Sequence, residues 1–337
     1  MSRPSIAVVG GGVIGLSTAL ALADRGVCVT VFEPGDAGAQ SSWAGAGILF
    51  PLLPWDYDDA VNRWCEAGIA AHPAWLQRLQ RDSGIDPEHR ASGMRIVGGA
   101  KGRALEWLAN RRVAHQSLAN GDLLLPEVTQ VRNPRLIRAL LASCQRAGVL
   151  VRERCPAVAL TDDGERVTGV RLAEGELAFD AVVVAAGAWS ARLARLAEDR
   201  VWPVRGQMLA VQAEPIAPTI VYEDGRYLVP RSDGVVLIGS TLETVGFDVG
   251  TTAEAKTVLL NWATAVEPAL AHAPLIRHWA GLRPGSVANH PLVGPHPDWP
   301  GLWLNCGHFR YGLTMAPACA HELAELLLAA HEHAYKS

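Results

Sequence analysis

The strongest constraint on this chain lies in Ser5 to Glu33, which read SIAVVGGGVIGLSTALALADRGVCVTVFE. A short apolar, β-branched run (5–10) meets a cluster of glycines. Apolar residues at 16, 19, 20 and 23 then recur at helical spacing until Gly26 stops the helix. CVTVFE (28–33) is a second apolar strand, and it ends on an acid. Strand, helix and strand within 33 residues make a βαβ unit. Strands this apolar require a parallel sheet covered on both faces.

Gly10-Gly11-Gly12-Val13-Ile14-Gly15 fits the spacing GxGxxG between a strand and a helix. Gly10 permits the tight turn, Gly12 lets a pyrophosphate approach the backbone, and Gly15 lets helix and strand pack closely. The N–H groups of Val13 and Ile14, at the positive end of the helix, favour anionic phosphates. Glu33, 18 residues after Gly15, stands where a carboxylate accepts both ribose hydroxyls and repels a 2′-phosphate. The pattern selects FAD or NAD over NADP. Three features favour FAD: the motif is N-terminal with the second domain interleaved, a second buried strand (180–187) ends in small residues, and no second GxGxxG follows.

At 337 residues the chain is long enough for two domains. The net charge of −4, with scattered arginines, carries no nucleic-acid footprint and points to small-molecule partners. Its first residues, MSRPSIAVVGGG, offer too short an apolar run for a leader or a membrane span, so a cytoplasmic enzyme is expected. The six cysteines, at 28, 65, 144, 155, 306 and 319, form no CxxC pair and read as buried free thiols, Cys28 among them. HELAE (321–325) lacks the second histidine of a zinc helix, and Cys306 with His308 has too few partners, so no metal is expected.

Farther along, NPRLIRALLASCQRAGV (133–149) predicts an amphipathic helix with Asn133 as N-cap and Pro134 in the first turn. From 201 to about 278 the strands alternate, as in PVRGQMLAVQ, RYLVPR and VVLIGSTLE, and predict an antiparallel sheet with Ser232-Asp233-Gly234 as a turn. GMRIVGG reads as a short strand. GLWLNCG followed by a helix returns the chain to its first domain.

These motifs together resemble the D-amino-acid oxidase family of FAD flavoproteins, and within it the bacterial glycine oxidases of thiamine biosynthesis. The resemblance rests on the glycine turn with Glu33, SSWAGAGILFPLLPW (41–55), AAGAWS (185–190), PVRGQ (203–207), RYLVPR (226–231), WAGLRPGS (279–286) and GHFRYG (307–312), in that order. It implies an α/β fold: an FAD-binding Rossmann-like domain with a parallel sheet (1–50, 132–200 and 275–337), and an α+β substrate domain on an antiparallel sheet (51–131 and 201–274). It implies further FAD contacts at Ser41, Ser42, Ala46, Gly47, Ala186, Gly187, Trp189, Gly307, Gly312 and Leu313. Arg283 falls on the carboxylate-binding arginine, Tyr227 on a pocket tyrosine, and Arg310 on a second pocket arginine. Tyr311 stands where the family motif carries asparagine, and Trp43 where many members carry a small residue.

The implied reaction oxidises the Cα–N bond of glycine, sarcosine or a small D-amino acid, with hydride transfer to flavin N5. Reoxidation by O2 gives H2O2, and the glycine imine feeds thiazole synthesis. The alternative is a dehydrogenase of the same fold that passes electrons to a quinone. The resemblance also implies a homo-oligomer. The residues are consistent with this chemistry: a guanidinium grips a carboxylate through two parallel hydrogen bonds, and Arg283 is expected in a Pro-Gly turn whose rigid backbone aims the fork. With the amine deprotonated, its lone pair drives hydride loss, so no side-chain acid or base is expected. His308 reads as a structural histidine, and the helix after GHFRYG points its positive end at the reduced ring.

Overall fold

The computed structural model of the chain describes residues 3–98, 102–214 and 216–334. Its two principal sheets are woven from alternating stretches of sequence. The six-stranded sheet runs Leu292–Pro295, Leu302–Cys306, Ala181–Val184, Ser5–Val9, Cys28–Phe32, Leu150–Arg152. Five of these strands are parallel, and Leu292–Pro295 is an antiparallel edge. Ile6, Val8 and Val31 point to one face and pack under the helices Val13–Ala23, Asn133–Arg146 and Gly312–Ala334. Ala7, Val9, Phe32, Val182 and Val184 point to the other and pack on the three-stranded sheet of Ala159–Asp162, Val167–Leu172 and Gly175–Ala178. Period-two alternation thus splits these strands between two apolar layers, which explains why they carry no polar face.

The second sheet has eight strands in the order Leu275–Ser286, Val201–Gln212, Val235–Gly239, Arg226–Pro230, Ile220–Glu223, Met94–Ile96, Leu123–Leu125, Gln116–Ser117. All its pairings are antiparallel except that of Ile220–Glu223 with Met94–Ile96. Gly99, at the end of the expected GMRIVGG strand, lies outside the described residues. The turn at Ser232–Gly234 forms as expected, with Gly234 at φ 80°. Leu275–Ser286 runs along Val201–Gln212 from Val201↔Ser286 to Val211↔Leu275, so it joins this sheet although 275–337 were expected with the parallel one. Helix Ala253–Val266 covers one face, burying Leu259 and Trp262 against Leu209, Leu228 and Ile238. The opposite face carries Met208, Tyr227 and Val229.

Two helices join the layers. Asp59–Ser83 starts on an Asp58 carboxylate that accepts from Ala60 N and Val61 N, and stops at Gly84 in the left-handed region. It crosses the terminal helix so closely that a Cβ at Gly68 would stand 1.9 Å from Thr314 O. The terminal helix Gly312–Ala334 is long and apolar enough to span a membrane by length and composition, and half of that apolar window is buried in the protein.

Two local expectations differ. Asn133 is the first residue of its helix rather than the cap, and its Nδ2 donates to Ser42 O at 2.7 Å. Its side chain was free to do this because Pro134 already begins the turn without an N–H to satisfy. Cys28 is exposed, because it starts its strand at the sheet's end, whereas Cys65, Cys144, Cys306 and Cys319 are buried; all six are free thiols.

Candidate active site

A cavity of about 850 Å³ runs between the two sheets, within the size range of small-molecule and cofactor sites. At one end lie the glycine turn and Glu33. Gly10 has φ 111°, and a Cβ there would stand 2.4 Å from Ala185 O. Gly15 does not line the cavity; a Cβ on it would stand 1.8 Å from Gly10 O, so its role is to let the helix lie against the turn. Gly12, Val13 and Ile14 line the cavity, and the first-turn N–H groups of Val13–Ala23 have no acceptor within the helix. Ser42 Oγ accepts from Val13 N at 2.9 Å and stands at the wall beside Ser41, Ala46 and Gly47. Glu33 accepts from Gly11 N at 2.7 Å and from Gly35 N at 3.0 Å, which fixes its carboxylate at the cavity edge.

Ala186, Gly187 and Trp189 continue the wall across the neighbouring strand end. Beyond Glu33, the stretch Pro156–Leu160 closes the far end. The sequence reading missed it as a site element, because CPAVAL carries no motif and reads as the start of a strand. Asn133 also lines the cavity and was missed for the opposite reason, its helix-start signal being too good. A glycine cradle that admits no Cβ, an open helix N-terminus and a held carboxylate are what a dinucleotide's phosphates and ribose require. The residues present therefore fit FAD.

The other end of the cavity is formed by GHFRYG and the second sheet. His308, Phe309, Arg310, Tyr311, Gly312 and Leu313 line it. Gly307 does not: it turns the chain at φ 76°, and its carbonyl accepts from Ser286 Oγ at 2.6 Å. The turn is held by Phe309 N donating to Pro284 O and Tyr311 N donating to His308 O, so the terminal helix opens directly at the wall. His308 is 1% exposed with no partner on Nε2, and burial pushes its pKa down to about 3. It is a neutral imidazole near pH 7 and too weak a base to hold a proton there. Tyr311 is 2% exposed, donates its hydroxyl to Leu52 O at 3.0 Å, and sets its ring edge-on to Tyr57 with centroids 5.1 Å apart. Its aromatic body is wall, while its polar atom anchors the segment around Leu52.

Arg283 lies not in a Pro-Gly turn but inside the strand Leu275–Ser286, because its backbone pairs opposite Val204, and it reaches across Val201–Gln212 into the cavity. Its Nη2 donates to Ser240 Oγ at 2.6 Å and its Nη1 to Thr241 O at 3.3 Å. It is partly accessible, and burial pulls its pKa down from the ordinary value, with the adjacent Tyr227 hydroxyl opposing. Tyr227 lies below Met208, its hydroxyl 3.7 Å from the sulfur. Arg310 lies close enough for its charge to act on Arg283. Its Nε is buried without a partner and its guanidinium sits 5.4 Å from the Phe309 ring. Among the described residues neither arginine forms a salt bridge. Two cations thus face one cavity with no carboxylate to pair them, an arrangement made for an anion. Trp43 is not part of the wall: its indole packs edge-on to Trp279 under the Arg277 guanidinium. No cluster of metal-ligating side chains occurs among the described residues.

Comparison with known proteins gives one consistent result. Residues 5–326 match the family model described as FAD dependent oxidoreductase. The glycine oxidase of Pseudomonas putida is 41% identical over 96% of this chain and 94% of its own length. The bifunctional protein ThiO/ThiG of Trichormus variabilis is 30% identical, over 96% of this chain and 52% of its own length. The crystal structure of glycine oxidase from Geobacillus kaustophilus superposes with a TM-score of 0.90 at 28% identity, covering 98% of this chain and 95% of that one.

Proposed function

The chain belongs to the DAO family of FAD-dependent oxidoreductases and is an FAD-dependent amino-acid oxidase, and we propose that glycine, sarcosine or a small D-amino acid is its substrate. The observation that carries the substrate assignment is the pair Arg283 and Arg310, unpaired and facing one chamber beside Tyr227. Arg283 binds the substrate carboxylate, its guanidinium held by Ser240 and Thr241 so that little freedom is lost on binding. Tyr227 and Arg310 confine the rest of the molecule. FAD, when bound, would supply the acceptor for the hydride of the Cα–H bond, which carries both electrons, and O2 would take those two electrons with two protons as H2O2. The glycine-oxidase names of its relatives favour O2 over a quinone as the final acceptor.

Gly10, Gly12, Val13, Ile14 and Glu33 hold the dinucleotide, with Ser41, Ser42, Ala46, Gly47, Ala186, Gly187 and Trp189 along its length. Gly312 and Leu313, at the N-terminus of the terminal helix, line the cavity and would stabilise negative charge on a bound flavin. Gly15 and Gly307 serve from behind the wall. No residue of this chain is assigned as acid or base, a reading supported by the weak basicity of His308. The dinucleotide-binding part takes the six-stranded sheet and its layers, and the substrate part the eight-stranded sheet with Leu275–Ser286 included. The two-part name of the ThiO/ThiG relative supports a link to thiamine synthesis, with the glycine imine as the product passed on. Free thiols support a reducing, cytoplasmic setting.

Anaerobic mixing of the FAD-loaded protein with glycine, sarcosine, D-alanine, D-proline and larger D-amino acids tests the assignment. The small members should bleach the flavin band and, in air, give one H2O2 per imine. Failure of every amino acid to bleach it removes the substrate assignment, and imine without H2O2 removes O2 as acceptor.

A further inference from the structure

The guanidinium of Arg283 lies beside the Tyr227 hydroxyl and donates to Ser240 Oγ and Thr241 O, which both belong to one short segment. That segment continues the strand Val235–Gly239 along Val201–Gln212. Arg205 N and Glu243 N exchange hydrogen bonds with each other's carbonyls at 2.9 Å, and Thr241 N donates to Gln207 O at 3.3 Å. Gly206 and Arg283 lie on one face of the strand; by strand alternation Arg205 and Gln207 point to the other.

On that other face is a polar cluster that does not line the cavity. Glu243 accepts from the Thr241 hydroxyl, from Gln207 Nε2 at 2.9 Å, and from both Nε and Nη2 of Arg205. The Thr241 hydroxyl in turn accepts from Gln207 N at 2.8 Å. Gln207, fully buried, spends its amide oxygen on Thr252 N and His278 Nε2. Arg205, 5% exposed, also pairs with Asp248. Every hydrogen-bonding atom of Thr241 except its carbonyl oxygen is thereby committed to the cluster, and that carbonyl is left to aim Arg283.

We propose that Glu243 is a positioning residue for carboxylate recognition: through Thr241 and the adjoining Ser240 it holds the acceptor pair that fixes the guanidinium of Arg283. This rests on the reading of Arg283 as the carboxylate-binding group. Without Glu243, the Thr241 hydroxyl turns to another acceptor, the buried Arg205 loses its principal partner, and the 240–243 segment no longer has one register against the strand. Arg283 then visits several orientations, and the cost falls on binding rather than on the chemical step.

The test uses FAD-loaded protein and two probes: glycine, by steady-state turnover, and acetate, a carboxylate with no Cα–N bond to oxidise, by its shift of the flavin spectrum. Glu243→Ala should raise the glycine KM and the acetate Kd together by about tenfold or more, with saturating turnover within about twofold of the parent and FAD content unchanged. Glu243→Gln, which keeps one acceptor, should recover part of the loss. In an Arg283→Met background, Glu243→Ala should change the acetate Kd by less than about twofold, because the relay has nothing left to aim. An unchanged KM in Glu243→Ala, or an undiminished effect in the Arg283→Met background, overturns the proposal. Should Glu243→Ala fail to load FAD, Thr241→Val, which keeps the β-branched shape and removes the hydroxyl, must raise both constants, and unchanged constants overturn it equally. If no amino acid is turned over by the parent, the substrate reading falls, while the acetate constants still decide the role of Glu243.

Discussion

At position 206 a single hydrogen atom separates the strand from Arg283. A Cβ there would lie 2.1 Å from Nη1 and 2.3 Å from Nη2, so Gly206→Ala must push the guanidinium off its acceptors. The expected result is a rise in glycine KM of about tenfold or more with FAD binding intact, measured by steady-state kinetics and flavin content. Arg283→Ala removes the cation itself and leaves an anion in a low-dielectric chamber. It should raise KM by about a hundredfold, corresponding to about 3 kcal/mol, and also leave FAD bound. Loss of flavin from Arg283→Ala would place the residue in the cofactor site instead. Both arginines of the chamber were legible in GLRPG and HFRYG because a resemblance marks them. Gly206 was quoted within PVRGQ without a role, because its task is defined only by a side chain 77 positions away (283 less 206). Tyr311 was unreadable for the same reason: its partner, Leu52 O, is 259 residues distant.

The elements that hold the cofactor end are local, and they were the readable ones. Strand, glycine turn, helix and Glu33 occupy residues 5–33, so their geometry is dictated by neighbours in sequence. Gly10→Ala tests the turn: at φ 111° a Cβ is strained, and it would also strike Ala185 O. The purified variant should be colourless, with FAD affinity reduced beyond the reach of a micromolar titration, and a yellow, saturable variant would overturn the cradle. Elements whose place depends on a distant partner were misread. Leu275–Ser286 announces itself as a strand, but only its pairing with Val201–Gln212 decides its sheet. Asn133 has the composition of a cap, yet its amide donates to Ser42 O and accepts from no first-turn N–H. Pro156–Leu160 becomes a wall only because Glu33 and the glycine turn stand opposite it.

For the molecule as a whole, His72 and His308 couple stability to pH. Both are 1% exposed beside the start of the terminal helix, His72 with Nε2 against Leu313 O at 3.1 Å. Burial lowers His72 to about 4 and His308 to about 3, against an unfolded value of 6.5. Between those limits the unfolded chain binds more protons than the native one, so stability rises with pH. It is fully present above about pH 6.5 and is lost as pH falls toward 4 and then 3, by up to about 3 kcal/mol or more for each histidine. Melting temperature followed from pH 7.5 to 4.5 should fall steeply, and His72→Gln should flatten that slope; an unaltered slope would relieve His72 of this part.

The interleaving of the chain has a further consequence, for the order in which it is made. On the ribosome the nucleotide cradle emerges well before the strands and helix that complete it. Ser5–Val9 must wait for Ala181–Val184, and that strand for Leu302–Cys306. Helix Val13–Ala23, buried along most of its length, is partly covered by Asn133–Arg146 but finds its principal cover only when Gly312–Ala334 leaves the exit tunnel. While the residues between the two helices are made, therefore, the nascent chain carries an apolar helix in search of a partner not yet translated. That interval is when holding chaperones have most to bind.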